Sequence, residues 1–143
     1  YQERTAWDLY GGVGLFVPAL AAAVQGKVIS VDYSPAATAA EQPCLADCDV
    51  ELKSAKVEQV AAQLPKPGAV VLDPPRTGAG KDVIRSVAAA APQAVVHVGC
   101  DPATFARDLH YWDEHGYGIE KMALINAFPG THHFETIALI TPA

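Results

Sequence analysis

The feature that most constrains this chain is alternation: short runs of β-branched and other apolar residues take turns with alanine-rich stretches of helical period. That is the pattern of repeated strand-helix units around a mostly parallel sheet. The spacing predicts strands over residues 5–10, 27–31, 50–55, 69–72, 94–98, 119–126 and 136–141, and helices over 13–25, 35–42, 57–63, 81–91 and 102–110, the first closed by Gly26 as its cap. The last two strands are joined only by a loop holding Pro129 and Gly130 and read as a β-hairpin. The least regular stretch, 43–49, is short and reads as a loop.

With 143 residues, half of them apolar and 18% charged, the chain can bury one core and has little left for a second. One domain over residues 1–143 is expected. No apolar run approaches the roughly 20 residues of a membrane span, and the opening Tyr1-Gln2-Glu3-Arg4 has no leader character. Three cysteines, an odd number without framework spacing, point to a reducing compartment. A cytoplasmic monomer is therefore expected, with no membrane partner. Because the first strand begins almost at once, the chain reads as a piece of a longer protein. Its net charge of −6 counts against nucleic-acid binding by these residues alone. A catalytic domain whose RNA grip lies elsewhere would carry such a charge, and so would an enzyme acting on a small molecule.

In an open α/β sheet, ligands sit outside the carboxyl ends of the strands, so the residues following each strand carry most of the functional weight. Asp8-Leu9-Tyr10-Gly11-Gly12-Val13-Gly14 forms a strand-to-helix turn where glycines let backbone approach a ligand and a helix start offers free N–H groups; glycines also serve tight turns. Asp32 ends the second strand 18 residues after Gly14, where an acid binds ribose hydroxyls, although it could also cap a helix beside Ser34. The pair suits adenosine in a dinucleotide or in another cofactor. The fourth strand ends in Asp73-Pro74-Pro75-Arg76-Thr77-Gly78-Ala79-Gly80, a stiffened acidic loop at the position of a substrate, or a capped connection.

Cys100 follows the fifth strand, just ahead of a helix, where the helix start favours the reactive thiolate; a buried apolar role is the alternative. Phe128-Pro129-Gly130-Thr131-His132-His133-Phe134-Glu135 opens the last strand, with Glu135 the natural base. Adjacent histidines point to opposite faces of an extended segment, and no ligand set of metal spacing accompanies them, so no metal is expected. Cys44 and Cys48, with nothing to complete a zinc or iron-sulfur set, read as incidental. Trp7, Trp112 and Tyr117 read as packing residues rather than a base-stacking platform.

Together, Asp73-Pro74-Pro75-Arg76, the Cys100-Asp101-Pro102-Ala103-Thr104 run with Arg107-Asp108-Leu109, and Thr131-His132-His133-Phe134-Glu135-Thr136 resemble the catalytic domain of the RNA 5-methyluridine methyltransferases. The resemblance implies a Rossmann-like class I methyltransferase fold, a seven-stranded mostly parallel sheet ending in an antiparallel hairpin. It also implies S-adenosylmethionine as cofactor and a uridine of transfer or ribosomal RNA as substrate. By the same resemblance Asp8, Tyr10, Gly11, Gly12 and Gly14 hold the amino-acid part of the cofactor, Asp32 its ribose, and Asp73 the edge shared with substrate. Pro74, Arg76 and His132 meet the substrate, Cys100 is the covalent nucleophile and Glu135 the base. The chain departs from the family in having Gly11 where cysteine is frequent and Asp101 where asparagine is common. Its third strand leads into Ala55-Lys56-Val57-Glu58 without the usual adenine-contacting aspartate. A methyltransferase acting on a small molecule or protein, and a module that binds cofactor without turnover, are the rival expectations.

Overall fold

The computed structural model describes residues 3–11, 16–33, 49–125 and 135–143. Its frame is one seven-stranded sheet built from β1 (Thr5–Leu9), β2 (Lys27–Asp32), β3 (Val50–Ser54), β4 (Ala69–Leu72), β5 (Ala94–Gly99), β6 (Tyr117–Ile125) and β7 (Glu135–Pro142), in the order β3-β2-β1-β4-β5-β7-β6. The first five strands pair in parallel, and β7 enters antiparallel between β5 and β6. The expected α/β sheet with its C-terminal antiparallel pair is present.

Parallel strands are stable when both faces are covered, and β4 is buried at every position. Trp7, Leu9, Ile29, Val31, Val70 and Leu72 pack against α2 (Val57–Val60), α3 (Lys81–Ala89) and α4 (Pro102–Glu114). Their neighbours Ala6, Val28, Ala69 and Val71 face the opposite way, against α1 (Val17–Val24). The period of two along each strand thus splits one apolar run between two cores. Trp7 and Trp112 lie fully inside, and the indole N–H of Trp7 donates to the Pro65 carbonyl at 2.9 Å.

Several boundaries differ from expectation, each for a local reason. α1 ends on Gln25, which takes the left-handed conformation (φ 53°), not on Gly26. Gly26 serves close approach instead, since a Cβ there would run into the backbone of Arg4. α4 continues past His110 because Phe105 and Trp112 keep the apolar face in the core for another turn. β1 stops at Leu9, where Tyr10 turns to φ 61°. The predicted helix over 35–42, together with Cys44 and Cys48, lies outside the described residues. Among the described residues no helix is long and apolar enough to cross a membrane.

The strand order places β2 on one side of β1 and β4 on the other. The chain therefore reverses its direction of travel at β1, and such a switch opens a crevice at the carboxyl ends of the two adjacent strands.

Candidate active site

Asp8 sits on β1 with no exposed surface, and its Oδ2 accepts a hydrogen bond from the Ser30 hydroxyl of β2 at 3.2 Å. Its Oδ1 has no partner among the described residues. Such an orphaned acceptor is costly unless a ligand meets it. Two residues on, Tyr10 holds φ 61°, a conformation that costs a non-glycine residue about 1–3 kcal/mol. Gly11 follows, its N–H bonded to the Val31 carbonyl at 3.1 Å. A Cβ on Gly11 would collide with the Ser30 hydroxyl and come within 2.6 Å of Asp8 Oδ2, so glycine is required by crowding. Gly12 and Gly14 lie outside the described residues.

Burial pushes the Asp8 carboxyl up to about 7; the Ser30 hydrogen bond opposes this, and the charges of Asp73 and Asp32 add to it. Asp73, just beyond β4, is likewise raised to about 6 by burial and then by Glu135, with His97 pulling the other way. Acids at the ends of β1, β2 and β4 therefore feel one another. Such a cluster attracts a cation and repels an anionic pyrophosphate.

The Asp8 shift has a measurable consequence. As pH rises from about 4, the unfolded chain releases this proton while the folded protein keeps it, so stability falls through the window up to about pH 7 and is level above it. Asp8→Asn retains the Ser30 contact without the charge. It is expected to remove this part of the pH dependence and to raise the melting temperature at pH 8, by at most about 4 kcal/mol of stability. Melting curves of both proteins across pH 4–8 check this; an unchanged difference across the window refutes it.

Beyond the strand ends lies an open cleft of about 510 Å3. Tyr10, Asp32 and Tyr33 line one side, Lys56, Val57 and Glu58 another, and Pro75 with Thr77 to Asp82 a third. The Lys56 ammonium stands 5.3 Å from the centre of the Tyr33 ring. Asp32 is half-buried at the end of β2, and its carbonyl accepts the Ala55 N–H at 3.1 Å. Burial, then the charges of Glu58 and Asp108, push the Tyr10 hydroxyl up to about 12, so it stays protonated. Pro74 is buried and Arg76 is exposed.

Cys100 is exposed and unbonded to any other cysteine, one residue beyond β5. The cap of α4 is Asp101, whose carboxylate accepts the N–H groups of Ala103 and Thr104 at 2.9 and 3.1 Å. The free donors of the helix start are therefore met by Asp101, while the thiol stands just outside the first turn. The antiparallel ladder of β5 and β7 ends with Gly99 opposite Thr136. Cys100 and Glu135 are the residues that adjoin this last pair, Cys100 just after β5 and Glu135 at the start of β7. His132 lies outside the described residues.

Sequence reasoning assigned no role to a buried polar chain between β5 and α4. The Trp112 indole N–H donates to His97 Nδ1 at 3.0 Å, and His97 Nε2 stands 3.5 Å from Asp108 Oδ2. Indole only donates, so Nδ1 is the acceptor and the ring proton sits on Nε2, facing the carboxylate. Asp108, fully buried, also accepts the Ala79 N–H at 2.7 Å, the Gly80 N–H at 3.3 Å and Arg107 at 3.1 Å. The available signal was the spacing of Thr104, Arg107 and Asp108, which puts all three on one face of a helix.

The tRNA (uracil-5-)-methyltransferase family model matches residues 53–142. An uncharacterised RNA methyltransferase of Corynebacterium glutamicum is 56% identical over 134 residues, which cover 94% of this chain and 32% of that protein. One from Thermotoga maritima is 36% identical over 138 residues, 90% of this chain and 30% of the relative. The chain thus spans about a third of the length of these relatives. Among solved structures, the tRNA (uracil-54, C5)-methyltransferase of Pyrococcus abyssi, in complex with S-adenosyl-L-homocysteine, is similar with a TM-score of 0.81 and 29% identity, covering 95% of this chain and 34% of that one. The precorrin-6y C5,15-methyltransferase of Geobacter metallireducens shares the fold at 17% identity, with a TM-score of 0.74 over 97% of this chain and 79% of its own. The architecture is the class I methyltransferase variant of the Rossmann sheet, and the chain belongs to the tRNA (uracil-5-)-methyltransferase family.

Proposed function

We propose that residues 1–143 form the S-adenosylmethionine-binding catalytic domain of an RNA methyltransferase that modifies carbon 5 of a uridine in transfer or ribosomal RNA, with Cys100 as nucleophile and Glu135 as base. The observation that carries this reading is that Cys100 and Glu135 both adjoin the last pair of the β5–β7 ladder, with Glu135 close enough to Asp73 to raise its carboxyl. The residues fit the cofactor: the orphaned Asp8 Oδ1 and the crowded Gly11 suit a backbone-hugging cationic amino acid, and Asp32 at the cleft suits a ribose. Gly12 and Gly14 are assigned to the cofactor with them, and Asp73 to the edge it would share with substrate. A dinucleotide would bring a pyrophosphate against the same acids. When bound, S-adenosylmethionine supplies an electrophilic sulfonium methyl group.

Carbon 5 of uracil is too weak a nucleophile to be methylated directly, which explains the need for a thiol and a carboxylate. The Cys100 thiolate adds to carbon 6, and the electron pair released into the ring makes carbon 5 nucleophilic. After methylation, Glu135 takes the carbon-5 proton, the bond between carbon 6 and sulfur breaks, and the ring's double bond and the free thiolate return together. The target base turns out of its stack to reach the pocket, where Pro74, Arg76 and His132 meet the RNA. The relatives are about three times as long as this chain, and a basic RNA-gripping surface outside residues 1–143 would reconcile the acidic charge of this domain with its substrate.

Incubating the full-length protein with 5-fluorouridine-containing RNA and S-adenosylmethionine tests the reading. A carbon-5 fluorine cannot be removed as a proton, so a denaturant-stable protein–RNA adduct is expected from the wild type and none from Cys100→Ala. Absence of the adduct, or its persistence in Cys100→Ala, overturns the covalent mechanism.

A further inference from the structure

We propose that Asp108 is a positioning residue of this site, holding the loop that walls the cleft in register with the turn that presents Cys100. The proposal rests on reading the cleft as the S-adenosylmethionine site.

α4 meets the loop after β4 through one face. Thr104 donates to the Arg76 carbonyl at 2.8 Å, and Arg107 donates to the Thr77 carbonyl at 2.8 Å. Asp108 accepts from both Ala79 and Gly80. Four loop residues are thereby read through their backbone, whatever their side chains. The loop has little order of its own: Gly78 and Gly80 hold φ near +84° and +86°, and its one internal hydrogen bond among the described residues runs from the Gly78 N–H to the Pro75 carbonyl. A Cβ on Gly78 would lie 2.6 Å from the Arg107 guanidinium and 2.7 Å from Asp108 Oδ2, so only glycine lets the loop approach this closely.

The same helix governs the Cys100 turn. It begins at Pro102, directly after the Asp101 cap, and Gly99 packs so tightly on the Phe105 ring that a Cβ there would collide with it. One rigid element therefore bears on both the thiol and the stretch from Thr77 to Asp82 that lines the cleft. Displacement of a reacting group by about 1 Å costs on the order of 100-fold in rate, which gives such a brace its value.

Asp108 is equipped for this task. Burial by itself pushes its carboxyl up, but the contacts from His97, the Ala79 N–H and Arg107 outweigh burial and bring it below the usual carboxylate range. Trp112 keeps the His97 proton on the nitrogen that faces Asp108. An asparagine at 108 would turn an amide N–H toward donors that need an acceptor.

The test compares full-length wild type, Asp108→Asn, and the double variant Thr104→Val with Arg107→Gln, each verified as folded by circular dichroism. Two quantities are read: hydrogen exchange at the Ala79 and Gly80 amides, and S-adenosylmethionine affinity by calorimetry. Asp108→Asn is expected to speed exchange at both amides and to weaken the cofactor at least about tenfold, equivalent to 1.4 kcal/mol. A residue that merely stabilises the fold would lower the melting temperature without changing the affinity of the folded protein. Wild-type affinity in folded Asp108→Asn overturns the proposal. If that variant does not fold, the double variant decides, with at least about a fivefold loss expected and wild-type affinity overturning the proposal. Failure of the wild type itself to bind S-adenosylmethionine is a different result and overturns the reading of the cleft.

Discussion

Cys100→Ala in the full-length protein is expected to lose methyl transfer to RNA by about 10^4-fold or more, while S-adenosylmethionine binding changes little. The size follows from removing a covalent route rather than a contact, as with other enzyme nucleophiles. Sparing of cofactor affinity follows from the assigned role, because the thiol is proposed to bond the uracil ring and not the cofactor. Glu135→Gln makes the complementary case. With the nucleophile intact and the base gone, the adduct forms but the carbon-5 proton stays, so covalent protein–RNA complex is expected to accumulate with ordinary uridine-containing RNA. Denaturing gels and single-turnover kinetics distinguish the two. A Cys100→Ala protein with wild-type turnover, or a Glu135→Gln protein with neither adduct nor turnover, contradicts the proposed roles.

Trp112→Ala carries the largest expected cost in stability. Trp112 is 1% exposed, its ring meets Tyr117 edge-on at 5.5 Å, and its N–H bonds His97. Truncating a buried tryptophan costs about 3–5 kcal/mol. Leaving His97 Nδ1 unpaired in the core adds about 1–3 kcal/mol. Against a total stability of about 5–15 kcal/mol, the loss leaves this domain marginal. Trp112→Phe separates the two contributions: most of the packing survives and only the hydrogen bond goes, so the expected loss is about 1–3 kcal/mol. Urea unfolding of the three proteins measures both; equal losses in the two variants would mean that the hydrogen bond, not the ring volume, dominates.

Much of the fold was legible because strand and helix periods record which side of an element is buried, and that is local information. The two-residue period of β1 is written in the sequence, and in the structure it puts Trp7 and Leu9 in one core and Ala6 in the other. Boundaries were less legible, as Gly26 illustrates: glycine marks both a left-handed cap and a close approach, and the neighbouring Arg4 backbone decided for the second. At the site, each strand-end residue was visible as a candidate, but not its electrostatic setting. Nothing local to Asp8 records that Asp73 and Asp32 share its surroundings, or that Ser30 meets only one of its two oxygens.

By itself the sequence determined the order and kind of the elements, the two apolar faces of the sheet and the chemistry available at each strand end. Only the tertiary structure decided which of those chemistries meet. β7 slips between β5 and β6, and that long-range pairing brings the start of β7, with Glu135, to the end of β5 that Cys100 follows 35 positions earlier. Likewise His97, Asp108 and Trp112 became a single buried chain only when α4 packed on β5. Histidine and aspartate carry no periodic mark of burial, since both are usually found exposed or half-buried, and a hydrogen bond from Ala79 to a side chain 29 residues away is created by packing, not by propensity.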